Sequence, residues 1–91
     1  MPRYFEVSSP TKPLTSLSAA DAVAGTMNAV ALDLGVRIVA VRHSKPGAFI
    51  YTYSDRRRRR RGLVVEALRK DPHFADYEFS GEGDTAEGPF R

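Results

Sequence analysis

The chain has 91 residues, 42% of them hydrophobic and 27% charged, with no cysteine and a formal net charge of +3. That length holds one domain at the small end of what folds alone, and that balance fits a globular chain rather than a disordered one. The lack of cysteine rules out a disulfide scaffold, a thiolate metal site and a cysteine nucleophile, and it favours a reducing compartment.

The opening Met1-Pro2-Arg3-Tyr4-Phe5-Glu6 has no apolar stretch of the kind a secretory signal carries. No apolar run approaches the roughly 20 residues needed to cross a bilayer. The expectation is a soluble, cytoplasmic protein.

Residues 3–8 are aromatic and β-branched and predict a strand, with Phe5 and Val7 on one face and Tyr4 and Glu6 on the other. Two prolines, Pro10 and Pro13, mark residues 9–16 as a loop. Residues 18–34 predict a helix: Ala20, Val23, Ala24, Met27, Val30, Ala31 and Leu34 repeat at helical spacing and form one apolar stripe. Ser18 with Asp21 approximates a capping box, and Gly35 stands where a left-handed residue stops a helix. Residues 36–43 and 48–53 predict two strands, joined by Lys45-Pro46-Gly47-Ala48, a sequence suited to a type II turn. A second helix is expected from a cap at Ser54 or Asp55 through Lys70, with Leu63, Val64, Ala67 and Leu68 as its apolar stripe. Pro72 forces Asp71 out of the helical region and ends it. Residues 75–80 predict a last strand with Tyr77 and Phe79 on one face. Glycines, Pro89 and acids from Gly81 onward predict a flexible acidic tail, residues 81–91, after a single compact domain of residues 1–80.

The order strand, helix, strand, strand, helix, strand is that of the split βαβ, the ferredoxin-like α+β fold. It predicts a four-stranded antiparallel sheet with both helices on one face. The strand positions expected to meet the helices are Phe5, Val7, Val39, Val41, Phe49, Tyr51, Tyr77 and Phe79. The open face is expected to carry Tyr4, Glu6, Ile38, Ala40, Arg42, Ile50, Thr52 and Glu78.

Charge is the least ordinary feature. Residues 1–54 are net +2, residues 55–70 net +6 and residues 71–91 net −5. The middle block holds six consecutive arginines, Arg56, Arg57, Arg58, Arg59, Arg60 and Arg61, directly before the apolar segment of the second helix. Such a run marks an interaction element for a polyanion or an acidic surface. Arginines at a helix start repel the helix dipole and one another, so a bound anion there has the dipole, the free N–H groups and the guanidinium forks in its favour. In the expected topology Arg3 and Arg37 begin strands at the same end of the sheet, which adds them to the candidate site. Glu82, Asp84 and Glu87 of the tail leave from that end too, and compete for the arginines. The plain alternative is that the run is a solvated loop, or is neutralised by that tail.

Nucleic acid is the first partner expected: arginine clusters neutralise phosphates and release counterions. Phe49, Tyr51 and Tyr53 alternate on the third strand, where RNA-recognition domains keep stacking aromatics. Residues 45–52 nonetheless miss the second, third and last positions of that family's signature, so core packing explains the aromatics better. A protein partner is the alternative, reached through the arginines and the sheet edge or open face by a small inhibitor or adaptor. Homodimerisation through that face or edge belongs to the same reading. No membrane anchor is expected, since no acylation motif or aromatic anchor adjoins the arginines. No enzyme signature is present: no glycine-rich phosphate loop, no Ser–His–Asp pattern and no H-E-x-x-H. Residues 8–13, in the loop that carries the phosphate site of acylphosphatases, hold neither glycine nor arginine. His43 and His73, with Asp71 and Asp76, are the only set a metal could use, and their spacing does not require one. No cofactor is expected.

Overall fold

The computed structural model describes residues 3–11, 16–55 and 62–84. It is an α+β fold: four strands form one antiparallel sheet, accompanied by two helices. The elements are β1 (Arg3–Ser8), α1 (Leu17–Val30), β2 (Val36–Lys45), β3 (Ala48–Asp55), α2 (Leu63–Lys70) and β4 (Glu78–Asp84), with short 3₁₀ helices at Leu32–Leu34 and Pro72–Phe74. The strands lie in the order β2-β3-β1-β4, so β2 and β4 are the edges.

One hydrophobic cluster joins the sheet to both helices. Phe5, Val7, Phe49, Tyr51, Tyr53 and Phe79 meet Ala20, Ala24 and Met27 of α1 and Val64, Val65 and Leu68 of α2. Phe5 is its centre, with ring centroids 5.9 Å from Tyr51, 5.5 Å from Tyr53 and 5.6 Å from Phe79. Those separations are within the range where aromatic pairs attract beyond their area alone. The Tyr51 hydroxyl donates to the Ala20 carbonyl at 2.9 Å, which satisfies a polar tip inside the core. Burial raises its pKa, with Tyr77 and then Asp21 adding to the rise.

Five expectations need correction. The first concerns which face β2 presents. Ile38 pairs with Tyr53 and Ala40 with Thr52, so Val39 is an extra residue against one partner. This β-bulge breaks the alternation. Ile38 joins the core instead of the open face, and Val39 is 55% exposed instead of buried. The second is the start of α2. Ser54 and Asp55 belong to β3, and the residue before the helix is Gly62, in a left-handed conformation (φ 93°) with no side-chain cap. The third is the last strand. The 3₁₀ turn at Pro72–Phe74 buries Phe74, and the Tyr77 N–H closes back on the Phe74 carbonyl, so β4 starts at Glu78 rather than at residue 75. The strand continues to Asp84, where Arg3 and Tyr4 pair with Asp84 and Gly83. The first residues of the expected tail are therefore sheet, and residues 85–91 lie outside the described residues. The fourth is the capping of α1. Ser16, not Ser18, is the cap, its hydroxyl accepting from the Ala19 N–H at 3.1 Å. The fifth is the end of α1. Gly35 is left-handed (φ 72°), but it closes the 3₁₀ helix at Leu32–Leu34 and not α1, which ends at Val30 instead of residue 34. The positive φ of Gly47 (83°), which a type II turn requires at its third position, is as expected.

Candidate functional site

The site is built by register at one end of the sheet. β1 begins there with Arg3, opposite Tyr53 on β3 and Asp84 on β4. β2 begins there with Val36 opposite Asp55 and Arg37 opposite Ser54. β3 ends there at Asp55, the residue immediately before Arg56. Arg3 and Arg37 are thus brought to the sheet end from which the arginine run departs. Alternation gives them opposite faces, however. Arg3 follows Phe5 and Val7 and is half-buried, whereas Arg37 stands between the core residues Val36 and Ile38 and is exposed on the other face. The remaining candidates, Arg56, Arg57, Arg58, Arg59, Arg60 and Arg61, lie outside the described residues, as do Glu87 of the acidic tail and its neighbours from residue 85 on.

The aromatics of β3 offer no stacking platform. Phe49, Tyr51 and Tyr53 are within the core cluster. The opposite face of the sheet is closed by its own side chains. Ile50 and Thr52 are buried there too, flanked in register by Glu6 and Arg42 and by Tyr4 and Ala40. Glu6 lies 3.7 Å from the Lys45 ammonium and accepts from the Ser44 hydroxyl. Tyr4 covers Gly83 so closely that a Cβ placed on that glycine would come within 2.6 Å of the Tyr4 hydroxyl. The Thr52 hydroxyl is buried without a hydrogen-bond partner.

Both sheet edges carry a feature that the sequence reading missed. On β2 the Ile38 N–H donates to Asn28 Oδ1 at 2.7 Å. On β4 the Phe79 carbonyl accepts from the Arg69 guanidinium at 2.6 Å. Each is a helix side chain occupying a backbone group of the edge strand ten residues later. Together with the bulge at Val39 and the exposed Arg37, Arg42 and Lys45, the Asn28 contact blunts β2 against pairing with another strand. The polar Asn28 just off an apolar stripe was the available signal for this role.

Beside the arginine end, a groove of about 360 Å³ is lined by Leu32, Gly35, Val36, Arg37, Val39 and Ser54. Leu32 is 74% exposed. At the opposite end of the sheet the His43 ring packs on Phe49, with centroids 4.3 Å apart. Asp71 accepts from the His73 backbone N–H at 2.9 Å and lies 2.7 Å from His73 Nδ1. The backbone bond first, and the ring bond second, hold the Asp71 carboxyl below its ordinary pKa. Asp76 supplies its carbonyl to the Ser9 hydroxyl. Among the described residues no three His, Asp or Glu side chains gather as a metal site would need. Among them, too, no helix is long and apolar enough to cross a membrane.

No protein-family model matches the chain, and a comparison with curated proteins finds no match.

Proposed function

We propose that this is a small, non-enzymatic, cytoplasmic binding protein of the ferredoxin-like βαββαβ type, which engages a polyanion through an arginine cluster. Nucleic acid is the partner class that the reading favours. The ferredoxin-like assignment is supported by the element order, the β2-β3-β1-β4 strand order and the single cluster shared by both helices. The observation that carries the binding proposal is the register at the end of β3. Arg3 and Arg37 stand opposite Tyr53 and Ser54, and the chain leaves that strand directly into six arginines.

Guanidinium groups suit phosphate because their planar forks donate two hydrogen bonds at once and stay charged at every physiological pH. A segment this dense in charge and built of arginine alone has no second residue type, such as Asn or Gln for adenine, with which to define a base order, so it favours backbone contacts over sequence readout. The burial of Phe49, Tyr51 and Tyr53 supports the same emphasis, since the sheet's aromatics are committed to the core. The expected behaviour is affinity that is indifferent to sequence and steeply sensitive to salt.

The test replaces Arg57, Arg58, Arg60 and Arg61 with glutamine and measures fluorescence anisotropy with duplex and single-stranded oligonucleotides over a salt series. The fold should persist by circular dichroism. For duplex DNA the slope of log affinity against log salt should fall by about three to four units, near 0.9 for each lost phosphate contact. A slope that does not change rejects the proposal.

A protein partner is the second reading. The exposure of Leu32 and Val39 around one groove at the same sheet end favours it.

A further inference from the structure

We propose that the open face of the sheet is a self-association surface, on which a second copy of the chain packs face to face about a two-fold axis parallel to the strands. This interface uses neither the arginine run nor the Leu32 groove, so it stands or falls apart from both readings above.

Register lays out this face. Lys45, Ala48, Ser8 and Glu78 form one row across all four strands, and Arg42, Ile50, Glu6 and Ser80 form the next. Both rows point away from the helices, because the residues that alternate with them, among them Val7, Phe49 and Phe79, fill the core. Ile50 is buried between its row neighbours, whereas Arg42, Lys45, Glu78 and Ser80 are exposed at the two edges. Charge on the face is segregated by strand. Among its described residues the basic side chains Arg37, Arg42 and Lys45 all stand on β2, and the acidic Glu6 and Glu78 stand on β1 and β4. Glu6 is near enough to Lys45 to pair with it in one chain, at 3.7 Å. Glu78 is not: it closes the far end of the Lys45 row, three strand spacings or roughly 14 Å away.

That segregation makes the face complementary to itself. A two-fold axis between two copies and parallel to the strands lays each row on its own reverse, so β2 faces the other copy's β4 and β3 its β1. Lys45 then meets the partner's Glu78, twice by symmetry, and Arg42 comes beside the partner's Glu6. The other in-plane two-fold, perpendicular to the strands, would set β2 on β2 and its three cations against themselves, which like charge opposes. Near-parallel strands are also an ordinary way for two sheets to pack, about 10 Å apart, and the small Ala48, Ser8 and Ser80 leave room for that approach. Nucleic acid suits this face poorly, since Glu6 and Glu78 would stand against its phosphates. Four strands by three complete rows cover roughly 400 Å² on each copy, which sets the contact among small, reversible interfaces rather than obligate dimers.

The experiment is sedimentation equilibrium of the full chain over a concentration series to about 1 mM, with two charge-reversal variants. The wild type should show a reversible monomer–dimer equilibrium. Lys45→Glu alone and Glu78→Lys alone should each weaken self-association by roughly tenfold or more, because each sets like charges together at both symmetric contacts. Mixed in equal amounts, the two variants should associate with each other about as well as the wild type does with itself, because the mixed dimer regains an opposite-charge pair at both contacts. Circular dichroism should show the same fold for all three proteins, since both positions are exposed on edge strands. A wild type that stays monomeric throughout overturns the proposal, and so does a mixture of the two folded variants that stays monomeric. Should Lys45→Glu fail to fold, Glu78→Lys decides alone: undiminished self-association in that variant overturns the interface.

Discussion

The two halves of the molecule, β1-α1-β2 and β3-α2-β4, solve the same problem with different chemistry. In each, a helix side chain reaches the edge strand ten residues later: Asn28 accepts from the Ile38 N–H, and Arg69 donates to the Phe79 carbonyl. In each, the helix gives way to a 3₁₀ turn before the strand, at Leu32–Leu34 and at Pro72–Phe74. The difference lies at the helix entrances. α1 starts on Ser16, whose hydroxyl satisfies the Ala19 N–H. α2 starts on Gly62, a left-handed residue with no side-chain cap, preceded in sequence by six arginines. Where the first half has a stabilising cap, the second has concentrated positive charge ahead of a helix dipole of the same sign. Charge that offers the following helix dipole no stabilisation is the ground on which the functional proposal rests on the arginine run and not on the capped half.

The edge contacts give the sharpest test of the parallel between the halves. Asn28→Ala leaves the half-buried Ile38 N–H without its acceptor and should cost about 2 kcal/mol, within the range for an unsatisfied buried donor. Arg69→Ala should cost less, about 1 kcal/mol, because Arg69 is itself exposed whereas Asn28 is half-buried, and the carbonyl it leaves can turn to water. Urea denaturation of the two single variants checks the ranking. Equal costs, or a larger one for Arg69, would end the claim that α1 guards its edge more deeply.

The helix entrances come next in size. Gly62→Ala places a Cβ on a backbone at φ 93° and should cost roughly 1–2 kcal/mol, whereas Ser16→Ala removes one hydrogen bond and should cost about 1 kcal/mol. Thermal melts of both variants, read against the wild type, decide it. If Gly62→Ala is neutral, the left-handed entrance is not a fixed part of α2, and the contrast between the two helix starts falls.

The sequence pattern carried the element order well, because alternating Phe5 and Val7, the α1 stripe and the Lys45-Pro46-Gly47-Ala48 turn are each local signals. The places it misread are those where a long-range contact overrides a local one. Val39 looks like a core position by alternation, and only pairing with β3 reveals the bulge that expels it. Gly81 to Asp84 look like tail by composition, yet Tyr4 lies over Gly83 and the sheet continues through it, using the missing side chain as space. Phe74 sits in what reads as a linker, and its ring closes the core against Phe79 at 6.2 Å and Tyr77 at 5.8 Å. Of the candidate site, the arginine run is a feature of the sequence and lies outside the described residues, while topology placed Arg3 and Arg37 at one sheet end, as the register does, though on opposite faces. The groove was not legible, because Val39 lines it only through the bulge that pairing with β3 produces.

The smallest effect separates the ends of the two helices. The 3₁₀ turn after α1 runs into Gly35, which does not titrate, whereas the turn after α2 is capped by the Asp71 carboxylate. The His73 N–H, and then the His73 ring, hold Asp71 below its ordinary pKa, so the folded state favours the charged form. The sign follows from that direction. The stabilisation is complete above the ordinary carboxylate range and is lost as pH falls through the lowered folded value, where both states become protonated. Asp71→Asn keeps an oxygen acceptor for the His73 N–H but removes the titration. Wild type should therefore exceed the variant in stability at neutral pH, and the two should converge at acid pH in parallel urea titrations. The gap should be small, because the His73 side chain is 69% exposed and solvent screens the pair. A gap that widens on acidification would reverse the sign and remove the second half's pH dependence from this turn.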